Sequence, residues 1–134
     1  MVTFPACALY DPGAPDRVKA FKSRAEPYQK RIREEAQTTQ DFVEAYADYE
    51  AFLLKEMQSA LKKLKGRMED ESVEKLEQAQ KRWMTFREAE KSFLRTNWSL
   101  ENFGTSAVMS RGGYRTLLLK QRVITLLHYL NNYK

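Results

Sequence analysis

Apolar residues return every third or fourth position along most of this chain, the spacing that gathers side chains on one side of an α-helix. Val18, Phe21, Ala25, Tyr28 and Ile32 form a first stripe. Phe42, Tyr46, Tyr49, Leu53, Met57, Ala60 and Leu64 form a second, and Val73, Leu76, Gln80, Trp83, Phe86, Glu90 and Phe93 a third. The last stretch is apolar on much of its circumference, with Leu117, Leu118, Leu119, Val123, Ile124, Leu126, Leu127 and Leu130. Such width implies contact with several neighbouring helices or with a partner. The pattern predicts an all-α fold, an antiparallel bundle of four main helices near 16–36, 39–66, 71–97 and 105–131.

Local signals place the boundaries. Asp11, Pro12, Gly13, Ala14 and Pro15 form a turn cluster that cannot be helical, so residues 1–15 read as an irregular tail and 16–134 as one helical domain. Asp16 is a candidate N-cap. Pro27 predicts a kink or a fresh start. Thr38 and Asp41 have the spacing of a capping box, and Gly66 stands where a C-cap belongs. Asp70 or Ser72 restarts the chain, residues 98–105 connect the last two helices, and Gly112 with Gly113 marks a weak point inside the fourth helix.

A length of 134 residues suits one domain with its own core. With 31% charged and 43% hydrophobic residues, the composition is that of an ordinary globular protein. The net charge of +5 favours acidic partners. The basic residues alternate with Glu along the helices, as on a solvated face, and no nucleic-acid module is visible, so nucleic acid is not the predicted partner. Cys7 is the only cysteine, which excludes an intrachain disulfide and suits a reducing compartment. No run approaches the roughly 18 apolar residues of a membrane span. As written the chain carries no signal peptide and reads as cytoplasmic; a truncated mature chain would belong to the periplasm.

Catalytic chemistry is hard to find. The single histidine, His128, has no Cys or acidic residue at metal-ligand spacing, so no metal and no cofactor is predicted. Cys7 lacks an oriented base. Glu69, Asp70 and Glu71 flank a helix start, where negative charge complements the dipole. Nothing here supports an enzyme.

One run stands out: Gln80, Trp83, Phe86, Arg87, Glu88, Ala89 and Glu90. Trp83, Phe86, Glu90 and Phe93 share a helical face on which a carboxylate interrupts an apolar stripe, with Arg87 beside it. A buried member of that Arg/Glu pair needs a partner from another helix. This run resembles the signature helix of the LprI-type lysozyme inhibitor domain family. Gly104, Thr105, Ser106 and Ala107, then Leu118, Leu119, Lys120, Gln121 and Arg122, stand in the family's later segments. The resemblance covers roughly residues 39–130, strongest over 78–126, and finds no counterpart for 1–37. It implies a helical domain that occludes a muramidase. The family's two cysteines, usually joined, fall at Lys91 and Tyr114. The resemblance therefore implies that these positions are neighbours, with Tyr114 packing in place of the bond.

The remaining candidate for function is binding surface. Residues 102–114 mix small residues with Phe, Met, Arg and Tyr, types enriched at interfaces. Phe103, Ser106, Met109, Arg111 and Tyr114 are the candidate partner-binding residues; an equally direct reading makes the segment a close-packed helix connection. Gln80, Trp83, Phe86, Arg87, Glu90 and Arg122 are the candidate structural motif. Two functions follow. One is an inhibitor or immunity-type binder of a cell-wall lytic enzyme or toxin, with an acidic target favoured because like charges oppose docking. The other is a cytoplasmic interaction or adaptor protein that kept the bundle and lost inhibition. The sequence leaves the oligomeric state open.

Overall fold

The computed structural model describes residues 16–133, and among these it contains helices and no strand. The helices are α1 (Arg17–Lys30), running on as a π-helical turn (Arg31–Glu35), α2 (Thr39–Lys65), α3 (Asp70–Asn97), the single turn α4 (Leu100–Phe103) and α5 (Thr105–Asn131). The all-α antiparallel bundle of four main helices read from the stripes is the fold observed. The irregular tail expected over 1–15, with Cys7, lies outside the described residues.

Helix starts follow the local chemistry. Asp16 accepts the Lys19 N–H at 3.0 Å. Thr38 Oγ1 accepts the Asp41 N–H at 3.0 Å while Asp41 accepts the N–H groups of Thr38 and Gln37 at 3.1 and 3.0 Å. This closes a capping box and satisfies donors that a helix start leaves open.

Each long helix runs opposite to the one before it, yet the closest packing joins two that run the same way. Thr39 and Thr105, at the starts of α2 and α5, meet through their hydroxyls at 2.6 Å. Further along, Arg115 of α5 donates to Glu50 of α2 at 3.2 Å. Between these points the Tyr46 ring lies on Gly112, so close that a Cβ there would stand 2.4 Å from Tyr46 Cγ. Leu53, Leu64, Leu119, Val123, Leu126 and Leu130 fill this central seam and are fully buried.

The other two helices flank the seam. α1 lies along one side, held by Arg24 to Glu56 at 2.6 Å, Gln29 to Tyr49 at 3.0 Å and a stack of Tyr28 on Phe52 with centroids 4.5 Å apart. Phe21 and Ala25 are its buried residues. α3 lies along the other side through Lys65 to Glu77 at 3.2 Å, Gln80 to Met57 Sδ at 3.4 Å and Arg87 to Glu50 at 2.6 Å.

Three local expectations need correction. Pro27 does not restart the chain, since α1 runs through it; it sits on the exposed side, where the missing N–H costs one hydrogen bond at the surface. The irregularity comes later, as the π turn closed by Ala36 N–H on the Arg31 carbonyl at 2.8 Å. Gly66 caps the end of α2 as its place in the sequence predicted, with a right-handed φ of −72°. Gly112 is no weak point, because α5 runs through it unbroken and Tyr46 needs the space.

The third correction concerns α3. Phe86 and Phe93 were placed on its core stripe but are 49% and 55% exposed. The inward side instead carries Leu76, Arg87 and Leu94, buried, with Gln80 and Trp83 half-buried. Neighbouring residues point about 100° apart on a helix. Turning Arg87 inward to Glu50 therefore turns Phe86 outward.

Candidate functional site

The polar layer under α3 accounts for most of the signature run. Glu50 receives Nη2 of Arg87 at 2.6 Å and Nε of Arg115 at 3.2 Å, so two guanidiniums face one carboxylate. Arg87 is 5% exposed. A third guanidinium lies about two turns away: Arg122 Nε donates to Gln80 Oε1 at 3.0 Å, and its guanidinium sits 5.8 Å from the Trp83 ring centroid. Burial pulls the Arg122 guanidinium below the usual arginine range. Arg87 Nε and Arg122 Nη2 are buried with no hydrogen-bond partner. Gln80, Trp83, Arg87 and Arg122 thus clasp α3 to α2 and α5. The layer excludes Phe86, and Glu90, half-buried, makes no hydrogen bond or ion pair among the described residues.

The elbow between α3 and α5 carries the candidate binding residues. Ser99 caps α4 by accepting the Asn102 N–H at 3.2 Å. Gly104 then takes φ +57°, a conformation that only glycine enters without strain, and lets α5 start at once. Ser106 Oγ donates to the Phe103 carbonyl at 2.7 Å. Arg111 reaches back from α5: its Nε donates to the Trp98 carbonyl at 2.6 Å and its Nη2 to that of Arg95 at 2.9 Å. These carbonyls belong to the end of α3, where partners are lacking and a cation complements the dipole.

The tied elbow presents aromatic surface. Phe93 meets Trp98 edge-on with centroids 6.1 Å apart, and Trp98 meets Tyr114 at 5.1 Å. Phe93, Leu100, Phe103, Met109 and Tyr114 are all exposed. The five candidate residues therefore divide. Phe103, Met109 and Tyr114 offer apolar surface, Ser106 spends its hydroxyl on the local backbone, and Arg111 is a tether. Five residues of helix separate Met109 from Tyr114, which turns them to sides about 140° apart. Phe93 was missed as a surface residue, because helical spacing gave it to the core.

At the positions where the resemblance puts cysteines, Lys91 pairs with Glu88 at 3.4 Å and Tyr114 lies against Trp98. Among the described residues, no group of three His, Cys, Asp or Glu side chains is placed to hold a metal ion. His128 is exposed in the last turn of α5. A cleft of about 480 Å³ at the far end is lined by Arg17, Lys62, Lys63 and Arg67 with Ser59 and Leu130. The lysines there follow the C-terminal turn of α2, where positive charge suits the dipole. No helix among the described residues is long and apolar enough to cross a membrane.

The described residues thus form a helical bundle with an aromatic elbow at one end and an internal arginine clasp beneath α3. The family description "Lysozyme inhibitor LprI" matches residues 21–126, and the chain belongs to that family. The match begins at Phe21, so α1, for which the resemblance found no counterpart, is part of the family's domain. No curated protein and no solved structure matches the chain.

Proposed function

We propose that this chain is a non-catalytic inhibitor or immunity-type binder of a cell-wall lytic enzyme, acting by stoichiometric contact through the α3–α5 elbow. The observation that carries the reading is the linked ring series in which the half-buried Trp98 backs the exposed Phe93 and Tyr114, on a frame that Arg111 holds. Aromatic anchors on a preorganised surface lose little freedom on docking, and interface energy concentrates in such anchors. Family membership supplies the kind of target. The charge of +5 narrows it to an acidic enzyme, since a strongly basic one would be repelled on approach.

The test is cell-wall clearing by a panel of acidic and basic muramidases with and without the protein, alongside calorimetric titration. An acidic member inhibited at one-to-one stoichiometry is the expected result. Tyr114→Ala and Phe103→Ala should each weaken it without changing the helical signal. Equal affinity for both variants would move the interface elsewhere, for instance to the α1 face around Lys19, Lys22 and Lys30. A second reading, an interaction or adaptor protein that lost inhibition, is favoured by Lys91 and Tyr114 standing where the resemblance puts cysteines. Absence of inhibition across the panel, with a stable fold, would select it.

A further inference from the structure

One side of α3 carries a stripe whose spacing is the same in both chain directions. Ala79, Arg82, Phe86, Glu90 and Phe93 are separated by three, four, four and three residues, with Phe86 at the centre. Those spacings put all five on one side of the helix. That side is the flank of α3, about a quarter turn from its buried side: four of the five are exposed and Glu90 is half-buried. Neither Arg82 nor Glu90 has an ion pair among the described residues.

We propose that this stripe is the contact between two copies of the chain, paired antiparallel through α3 about a two-fold axis at Phe86. In such a pairing each residue faces the one equally far from Phe86 on the other side. Arg82 then meets Glu90 of the second copy, twice over. Ala79 leaves room for Phe93 of the second copy, and Phe86 meets itself on the axis. Two free charges of opposite sign, a small residue matched to a large one, and an aromatic centre are all satisfied by one operation. A parallel pairing would set Arg82 against Arg82 and Glu90 against Glu90, so the same charges select the antiparallel one. A contact of this kind uses identical patches and closes at two subunits. It shares Phe93 with the binding reading and needs none of the other elbow anchors.

Sedimentation equilibrium at physiological salt tests it, because salt screens the overall +5 that opposes self-association. The wild-type chain should show a concentration-dependent dimer. Arg82→Glu alone and Glu90→Arg alone should each raise the dissociation constant by about tenfold or more, since each sets like charges face to face. An equimolar mixture of the two variants should recover the dimer, because the mixed pair again opposes unlike charges at both contacts. Both residues are on the surface without intramolecular ion pairs, and Phe86→Ser provides a further variant that should also dissociate. A wild-type chain that stays monomeric up to millimolar concentration overturns the proposal, as it would if the stripe served a different protein. Single variants that dimerise like wild type, or a mixture no tighter than either variant alone, overturn it equally.

Discussion

Arg111 donates to the carbonyl of Trp98 at 2.6 Å, so the end of α3 is closed by a side chain from α5 thirteen residues later. The same guanidinium takes the Arg95 carbonyl at 2.9 Å. Hydrogen bonds from a charged donor are worth about 1.5–3 kcal/mol each in net stability. Arg111→Ala is therefore expected to lower unfolding free energy by about 2 kcal/mol in urea titration. Arg111→Lys should recover only part of this, since an ammonium lacks the planar fork that serves two carbonyls. Wild-type stability in the alanine variant would show that water replaces the tether.

The two adjacent glycines of α5 should respond in opposite ways. A Cβ at Gly112 would stand 2.4 Å from the Tyr46 ring, whereas at Gly113 the nearest atom is Tyr46 Oη at 3.9 Å. Overpacking a close contact costs about 1–3 kcal/mol. Gly112→Ala should be destabilised by that amount. Gly113→Ala should gain about 0.4–1 kcal/mol, because alanine has less freedom to lose on folding. Paired thermal melts of the two variants decide the matter; destabilisation of Gly113→Ala to the same extent would refute the packing account.

Glu50 is the ion-pair partner that Arg87 and Arg115 share. Removing it leaves the buried Arg87 only the exposed Glu88 carboxylate at 3.8 Å, and breaking a buried pair costs about 3–5 kcal/mol. Glu50→Ala should lose stability on that scale, while Arg115→Ala should lose less, because Arg87 keeps its bond to Glu50. Urea midpoints at matched slope give the comparison. A larger loss for Arg115→Ala would mean that the outer guanidinium, not the inner one, anchors the layer.

The capping box predicts an acid response. The N–H groups of Thr38 and then Gln37 hold the Asp41 carboxyl below the usual carboxylate range. A folded-state value below the unfolded one means stability that is present above the unfolded value, about 3.9, and fades as pH falls through the folded one. The urea midpoint of the wild-type chain should accordingly fall on acidification below about pH 4. Asp41→Asn should remove that part of the slope while other carboxylates keep theirs. An identical slope in the two chains would show that the carboxyl titrates as it does in the unfolded chain.

The helices and their starts were legible in the sequence because they rest on local information. The Tyr46, Tyr49, Leu53, Met57, Ala60 and Leu64 stripe of α2 is buried as its spacing required, since a central helix buries what it shows as apolar. On α3 the same reasoning turned the helix the wrong way. Its inward side is fixed by Arg87 reaching Glu50, a partner 37 residues earlier that no periodicity registers. Gly112 reads as weakness in one dimension and as clearance for Tyr46 in three. Arg111 has the composition of an interface anchor, yet its nearest demand came from carbonyls at the end of α3. Polar partners across helices are invisible to spacing, and here they decide both the rotation of α3 and which elbow side chains remain free.

The seam between α2 and α5 bears on how the chain reaches this fold. Two polar contacts across it, Thr39 with Thr105 and Glu50 with Arg115, join residues 66 and 65 apart in sequence. Helical bundles ordinarily fold fast because their contacts are near in sequence. This one must close a long loop, with the whole of α3 inside it, before its deepest apolar contacts form, and loop closure is an entropy cost met early. Folding is therefore expected to be slower than for a bundle of the same size whose tightest pairs are consecutive, and stopped-flow refolding should find Leu119 and Val123 variants slowing it more than variants on α1.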